Sequence, residues 1–381
     1  MAGTVTVDVA GPAKGRGGRE FIGFPYRLFR GCSQWVPQFR SDMRAILDRR
    51  NTFFEKSMGE FFVARRGGET VGTIAALDNV PFNAYHGFRI GHFYFFDCID
   101  DTEVSHALFA AAFAWMREQG LETVQGPAGF GMMGSGILVD GFAHRAAMTM
   151  MNWNFPYYQR LVEAEGFAKH GDLFSAFVDP AAFRLPDRVR RAAEIALKRG
   201  SFEVPEFRTR KDLRRYAQAI GRVYNESFEA HGDTFAPLSE KEIEEVADGL
   251  VAVADPTLIK LLLSRGEIAG FLFGFPDLSA ALRRARGRKN PLAIIDILLE
   301  YRRTRGLIVN GAGILPKYQR LGGNALLYSV LERIGTQRRF LSVEAVQIAD
   351  STELMLADLK TLGARITKTH RVYQRALAGT P

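Results

Sequence analysis

The stretch that decides the fold is "LPKYQRLGGNALLYSVL", residues 315–331. An apolar segment that is typical of a strand, "GLIVNGAGIL", leads into it, and a helical pattern begins directly after Gly322 and Gly323. The first N–H groups of a helix have no partner within the helix, and the helix dipole favours an anion at this end. Glycines let a ligand approach the backbone closely, and Lys317 and Arg320 add positive charge. The stretch therefore predicts a phosphate-binding turn between a strand and a helix.

The chain contains two halves with the same order of elements. Residues 60–76, "EFFVARRGGETVGTIAA", and residues 258–274, "LIKLLLSRGEIAGFLFG", each predict a hairpin of two strands. Gly72 and Gly270 hold equivalent positions 198 residues apart, and the glycines that end the closing helix of each half have nearly the same offset. The pattern indicates a duplicated α/β domain in which strands alternate with helices around a mixed sheet.

The two predicted domains differ at the phosphate-binding turn. We place the N-terminal domain at residues 1–180, a linker and helix at 181–205, and the C-terminal domain at 206–381. Where the second half has its glycines, the first half has "DCIDDTEVSHALF". Asp100 and Asp101 would repel a pyrophosphate, although acids at this position cap a helix well. The N-terminal domain is therefore expected to lack the anion site.

Composition narrows the class of protein. With 381 residues and 47% hydrophobic residues, the chain can form two globular cores, and its net charge of +8 suits an anionic partner. Two cysteines give no disulfide framework, and no apolar stretch reaches the ~18 residues of a membrane helix. The seven histidines are scattered, so no metal site is expected. A cytoplasmic protein without a transmembrane segment is predicted, and its oligomeric state stays open.

Residues 129–134, "GFGMMG", match the dinucleotide fingerprint G-x-G-x-x-G. A predicted strand leads in, but two more glycines follow without a helix start, and Asn154 stands where an acid should bind the ribose. We therefore expect neither NAD nor FAD as a cofactor. Glycines at this density instead predict a chain that passes close to other backbone or that turns through positive φ.

"RLGGNA", residues 320–325, resembles the acyl-CoA pyrophosphate loop of the GNAT acyltransferase superfamily, written Q/R-x-x-G-x-G/A. A register shifted by one residue, "QRLGGN", also matches except at its final position, and both registers use the same loop. "GPAGFG", "LVDGF" and "NWNFPYYQRLVEAEGFAK" are similar to bacterial tandem-GNAT proteins of about this length. The resemblance covers nearly the whole chain. It implies an α/β fold with two tandem GNAT-like domains, each a mixed, mostly antiparallel sheet flanked by helices.

The resemblance also implies an activity, the transfer of an acyl group, acetyl being expected, from acyl-CoA to the amine of a small molecule or peptide. Acetyl-CoA or another acyl-CoA would be the co-substrate, with no metal. In this superfamily a backbone N–H at the end of the central strand polarises the thioester carbonyl, and the matching residues are Ile314 and Leu315. The residues implied in CoA binding are Ile314, Leu315, Gln319, Arg320, Leu321, Gly322, Gly323, Asn324 and Ala325.

The catalytic groups are less well defined. Glu344, on the predicted strand "FLSVEAVQI", is the candidate general base, the alternative being an outward-facing charge without a catalytic task. The superfamily often protonates the leaving thiolate with a tyrosine four residues before the glycine that ends the closing helix, where this chain has Leu359. Tyr328 or Tyr318 would then be the acid, or the thiolate leaves unaided, or the protein binds CoA without turnover. We name Tyr328 as the candidate acid.

The stretch "NWNFPYY" supplies candidate substrate-binding residues: Asn152, Asn154, Tyr157 and Tyr158. Polar groups among aromatic ones are typical of a ligand pocket, here expected between the domains. The alternative is a loop and a helix start, with Asn154 as the N-cap and Pro156 in the first turn.

Residues 283–306, "RRARGRKNPLAIIDILLEYRRTRG", carry five basic residues before an apolar helical stretch and three after it. Such a segment can attract CoA phosphates, bind RNA, lie on an acidic membrane or simply be exposed to solvent. Two other function classes remain: an aminoacyl-tRNA-dependent transferase of related tandem fold, and a non-catalytic CoA-binding or sensor protein. The intact pyrophosphate loop argues against the first, so no nucleic-acid partner is expected, whereas Leu359 supports the second.

Overall fold

The computed structural model describes residues 3–130, 134–228, 240–244 and 254–377, and the chain forms two compact units. The first unit contains Met1–Phe174, Leu278–Arg302 and Thr367–Pro381, and the second contains Ser175–Asp277 and Arg303–Ile366. Each unit thus combines segments that are distant in the sequence. The domain boundaries predicted around residues 181–205 stay a prediction.

The described strands are β1 Val5–Val9, β2 Met58–Arg66, β3 Glu69–Asp78, β4 Ile90–Cys98, β5 Thr123–Gly126, β6 Ile137–Asp140, β7 Ala168–Val178, β8 Ile259–Ser264, β9 Glu267–Pro276, β10 Gly306–Ile314, β11 Ser342–Ala349 and β12 Arg365–Ala376. The helices are α1 Arg16–Leu28, α2 Arg40–Leu47, α3 Val80–His86, α4 Thr102–Glu118, α5 Tyr157–Ala164, α6 Asp187–Lys198, α7 Arg210–Arg214, α8 Ala217–Phe228, α9 Ser279–Ala285, α10 Pro291–Arg303, α11 Gly323–Arg338 and α12 Glu353–Thr361. Among the described residues, no helix combines the length and the hydropathy that a membrane span requires.

The sheet of the first unit has the strand order β1-β2-β3-β4-β5-β12, with β6 also paired to β12. Neighbouring strands are antiparallel except β4 and β5, which are parallel. Side chains alternate between the two faces of a strand. On β2, Phe62 belongs to the core with Leu108 of α4, while Phe61 belongs to the core with Phe21 of α1. Helices therefore cover both faces of this sheet.

The second unit repeats this plan with the strand order β11-β10-β9-β8. Strands β8, β9 and β10 are antiparallel, and β10 and β11 are parallel. Leu262 of β8 packs in one core with residues of α6 and α11, and the adjacent Leu261 packs in another core with Ile220 of α8. The predicted α/β class, with mixed and mostly antiparallel sheets flanked by helices, is confirmed.

The strand registers show the same repeat and locate an insertion. Gly72 of β3 is opposite Cys98 of β4, and Gly270 of β9 is opposite Ile314 of β10. The two glycines are 198 residues apart, whereas Cys98 and Ile314 are 216 apart. The second half therefore carries 18 additional residues between these strands. Helices α9 and α10 lie in this stretch, where the first half has only the short helix α3.

Candidate functional site

The glycine turn of the second unit opens on a cavity of about 420 Å³. The cavity lies where the end of β10, the N-terminus of α11 and one side of α12 meet α6. Its lining residues include Arg188, Val189 and Ala192 of α6, Ile314, Arg320, Gly322, Gly323, Asn324, Ala325 and Tyr328 around the turn, and Asp358, Thr361 and Leu362 of α12 and the residue after it. Leu315, Gln319 and Leu321, also predicted to bind CoA, flank this lining.

The first turn of α11 lines the cavity without a side-chain cap. Gly322 is its N-cap residue, with φ of 87°, and no side chain caps this helix. The first-turn residues Gly323, Asn324 and Ala325 line the cavity, so their backbone N–H groups lie at its wall. In the first unit the equivalent helix α4 is capped, because the carboxylate of Asp101 accepts hydrogen bonds from the N–H groups of the first turn. Of the two equivalent helices, only α11 therefore has a first turn that is suited to bind an anion.

Both glycines of the turn are closely packed. A Cβ on Gly322 would lie 3.2 Å from the carbonyl oxygen of Ala192 and 3.2 Å from the Cβ of Ala196, and its positive φ disfavours other residues. A Cβ on Gly323 would lie 2.5 Å from Cδ2 of Leu262. Helix α6 and strand β8 thus pack directly against the turn, and a larger residue would displace them.

Two arginines supply positive charge to the cavity. Arg320 precedes the turn, and Arg188 of α6 reaches the other side, where its Nη2 donates a hydrogen bond of 2.9 Å to Oγ1 of Thr361. Lys317, which the sequence predicts to add positive charge to the turn together with Arg320, instead has its Nζ 3.6 Å from a carboxylate oxygen of Glu267. The sequence analysis missed Arg188, since the only signal was the basic character of the helix between the halves.

Strands β10 and β11 separate beside the cavity. They pair from Gly306–Ser342 to Val309–Ala345, after which β10 continues against β9 alone as far as Ile314. The N–H of Leu315 donates a hydrogen bond of 2.9 Å to the carbonyl oxygen of Ala269, so this N–H group points towards β9. Because backbone groups alternate in direction along an antiparallel strand, the N–H of Ile314 points away from β9, towards the side from which β11 has separated.

Glu344 lies on β11 next to this separation. It is opposite Ile308 in the parallel register, one residue before the pairing ends, and its side chain is half-buried. It is not among the residues that line the cavity. Its assignment as the general base stays a prediction.

Tyr328 lines the cavity, but its hydroxyl is already bound. It donates a hydrogen bond of 2.8 Å to Oδ2 of Asp358, which also accepts one of 2.8 Å from Nδ2 of Asn324. Burial and the nearby Asp358 carboxylate raise the pKa of Tyr328 well above its ordinary value. To protonate a thiolate, Tyr328 would have to break this hydrogen bond, so the geometry weakens its case as the acid.

The four candidate substrate residues of the first unit take part in internal hydrogen bonds. Oδ1 of Asn154 accepts a hydrogen bond of 2.7 Å from the N–H of Leu138 on β6. Asn154 therefore does not cap α5, whose N-cap residue is Pro156. Further bonds join the carbonyl oxygen of Asn152 to His370, the hydroxyl of Tyr157 to the carbonyl oxygen of Cys98, and the hydroxyl of Tyr158 to Asp97. These contacts hold the first unit together, and a role in substrate binding stays a prediction.

The GFGMMG stretch lies between two strands. Strand β5 leads into it and β6 follows, while Gly131, Met132 and Met133 lie outside the described residues. A Cβ on Gly134 would overlap the carbonyl oxygen of Met150, and a Cβ on Gly129, whose φ is 82°, would overlap the ring of His92. The described glycines of this stretch thus allow close contact with neighbouring chain. Among the described residues, no group of three or more His, Cys, Asp or Glu side chains is placed to hold a metal ion.

The chain is similar to two curated bacterial proteins over most of its length. Protein YghO of Escherichia coli K12 is 26% identical over 373 residues, which cover 94% of this chain and 93% of that protein. The bacterial ceramide synthase of Caulobacter vibrioides is 27% identical over 370 residues, which cover 94% of both. No protein-family model matches the chain.

Solved structures reproduce the fold at lower sequence identity. A tandem GNAT protein from the clavulanic acid biosynthesis pathway matches 99% of this chain and 100% of its own, with a TM-score of 0.55 and 12% identity. A GCN5-related N-acetyltransferase from Sphaerobacter thermophilus matches 99% of this chain and 97% of its own, with a TM-score of 0.54 and 12% identity.

Proposed function

We propose that this chain, which has the fold of tandem GNAT proteins, is an N-acyltransferase that moves an acyl group from acyl-CoA to an amine. The observation that carries the proposal is the uncapped N-terminus of α11, which meets a cavity of about 420 Å³ beside the separated end of β10. Backbone N–H groups at a helix N-terminus bind phosphates, and Arg188 and Arg320 would add charge-assisted hydrogen bonds to the pyrophosphate of CoA.

In the proposed reaction, the amine nitrogen attacks the thioester carbonyl carbon, a C–N bond forms and the C–S bond breaks. Negative charge develops on the carbonyl oxygen, and the N–H of Ile314 is directed to stabilise it. Glu344 would accept the proton that the amine loses, directly or through water. The products are an amide and the CoA thiol, whose proton comes from water, or from Tyr328 if its hydrogen bond to Asp358 breaks.

The relative from Caulobacter supports a choice of acceptor class. Ceramide synthase is the name of a protein that forms ceramide, which is the amide of a fatty acid and a long-chain amino alcohol, and the similarity spans 94% of both chains. We therefore propose a long-chain amino alcohol as the acceptor and a fatty acyl-CoA as the donor. Acetyl-CoA with a small polar amine is the comparison that tests this choice.

The test measures binding and turnover separately. Isothermal titration with CoA is expected to show saturable binding that weakens about threefold to tenfold in Arg188→Ala, while Arg199→Ala, at the exposed end of the same helix, leaves it unchanged. Release of free thiol from palmitoyl-CoA with sphinganine, followed by mass spectrometry of the amide, then tests the reaction. Binding without amide would favour a non-catalytic CoA-binding protein, and absence of CoA binding would refute the proposal.

A further inference from the structure

Helix α10 presents an apolar face to solvent. Five large aliphatic side chains on it are between 39% and 77% exposed: Leu292, Ile294, Ile295, Leu298 and Leu299. Successive residues of a helix are about 100° apart, which puts these five on one continuous side. The described residues include fifteen exposed large hydrophobic side chains, and five of them fall on this helix of 13 residues. A contiguous exposed apolar patch marks an interaction surface.

The opposite side of α10 is polar and contacts the preceding helix α9. Asp296 and Glu300 both bind the guanidinium of Arg284, at 2.8 Å and 2.6 Å, and Ala293 is buried. The two acids of the helix are thus paired on its inner side. The outward side therefore combines apolar side chains with no acid of this helix.

Basic residues flank the apolar face at both ends. Arg286, Arg288 and Lys289 precede the helix and are exposed, as is Arg302 near its end. An apolar face bordered by Lys and Arg is the pattern of helices that lie at the surface of a membrane containing anionic lipids. Long basic side chains can reach lipid phosphates while the apolar ones insert between the headgroups.

The segment that leads into α10 is anchored to the first unit by hydrogen bonds. The side chain of Asn290 accepts from the N–H of Ala293 at 2.9 Å at the helix start. Just before it, the carbonyl oxygen of Gly287 accepts from the N–H of Arg40 at 2.8 Å. Oγ of Ser279, on α9, accepts from the N–H of Met148 at 2.9 Å. The inserted segment is therefore a docked element of the fold.

We propose that the apolar face of α10 docks on the surface of a lipid bilayer rich in anionic phospholipids. The helix lies in the plane of the interface, with its five aliphatic side chains inserted and the flanking arginines on lipid phosphates. This inference does not depend on acyl transfer, because it follows from the exposure and charge of α10 alone.

Flotation of the full-length protein with vesicles tests the proposal. We expect binding to vesicles of equimolar phosphatidylcholine and phosphatidylglycerol, weakening as salt is raised, and at least about tenfold weaker binding to phosphatidylcholine alone. The double variant Ile295→Ser with Leu298→Ser should lose more than about tenfold in affinity for the anionic vesicles. Both side chains are exposed, so folding should be kept.

A matched control uses the same pair of residue types on another helix. Ile195 and Leu197 of α6 are 49% and 53% exposed, against 54% and 59% for Ile295 and Leu298. Ile195→Ser with Leu197→Ser should leave vesicle binding unchanged. Equal binding by both double variants, or no binding of the unmodified protein to anionic vesicles, overturns the proposal. So does a patch variant that changes the oligomeric state in light scattering without affecting vesicle binding, or vesicle binding that RNA abolishes.

Discussion

Substitution of Gly322 by asparagine and by aspartate separates the charge of the turn from its shape. Both side chains are of nearly equal size, and both residues tolerate the left-handed backbone better than most. At φ of 87°, each would carry the same backbone cost, and each Cβ would lie 3.2 Å from the carbonyl oxygen of Ala192. The two variants then differ by one negative charge at the N-terminus of α11.

The size of the difference follows from distance and exposure. Two unit charges 4 Å apart interact by about 4 kcal/mol at an effective dielectric constant of about 20. Gly322 is half-buried and the cavity is open to solvent, so salt and water reduce this repulsion to about 1–3 kcal/mol. Gly322→Asp should therefore bind CoA about tenfold to a hundredfold more weakly than Gly322→Asn. Both variants should lose about 1–2 kcal/mol of the free energy of unfolding, because both adopt the left-handed backbone.

Isothermal titration with CoA at low and high salt measures this ratio, and chemical denaturation measures the shared loss of stability. The ratio should shrink at high salt because the charges are partly exposed. Gly120 provides a control pair, since its φ is 73° and a Cβ there meets nothing within 4 Å. Its asparagine and aspartate variants should bind CoA equally. Equal CoA affinity of the two Gly322 variants would refute the placement of the pyrophosphate on this turn.

Three further substitutions test other parts of the molecule. Tyr328→Phe removes the hydrogen bond to Asp358 and should cost about 0.5–1.5 kcal/mol in denaturation experiments with kcat nearly unchanged; a fall in kcat of about a hundredfold or more would instead make it the acid. Asp101→Ala removes the cap of α4 and should lower stability by about 1 kcal/mol without altering CoA affinity, and an altered affinity in titration would contradict the contrast between the halves. Burial raises the pKa of Asp97 from 3.8 to about 7, so the native state holds this proton more tightly than the unfolded state. Its stabilising contribution is present below pH 3.8 and is lost as pH rises to about 7, and Asp97→Asn should flatten that part of the melting-temperature profile.

Local patterns were sufficient to predict the hairpin of each half and the strand–turn–helix of the second half. The hairpins around Gly72 and Gly270 and the strand–turn–helix at Gly322 depend on neighbouring residues, whose alternation and turn chemistry are visible in the sequence. The structure confirms these elements. The resemblance to tandem GNAT proteins is confirmed at the level of the fold by solved structures that cover nearly the whole chain.

The lining of the cavity could not be predicted in the same way, because it joins residues distant in the sequence. Arg188 reaches the turn from a helix that the sequence placed in the linker, and Asp358 meets Tyr328 across two helices. The sequence also does not distinguish a buried polar side chain that binds a ligand from one whose hydrogen bonds stabilise the fold. Asn154 illustrates this, since its hydrogen-bond partner Leu138 becomes a neighbour only when β6 is in place.

Strands β4 and β10 share a backbone irregularity at the same position, although the helices that follow them have different N-caps. Phe95 of β4 and Gly311 of β10 are each the sixth residue of their strand, and both have positive φ at a break in the pairing with the preceding strand. After that break, the first half ends in a carboxylate cap, and Asp101 also binds Arg66 at 2.6 Å. A pyrophosphate at α4 would have to displace this cap and separate it from Arg66, which is itself buried. At α11 neither obstacle exists, because Gly322 offers no side chain to displace. The conformation of β4 and β10 is therefore shared by both halves. The N-cap residue of the following helix, Asp101 in α4 and Gly322 in α11, determines which half is suited to bind a phosphate.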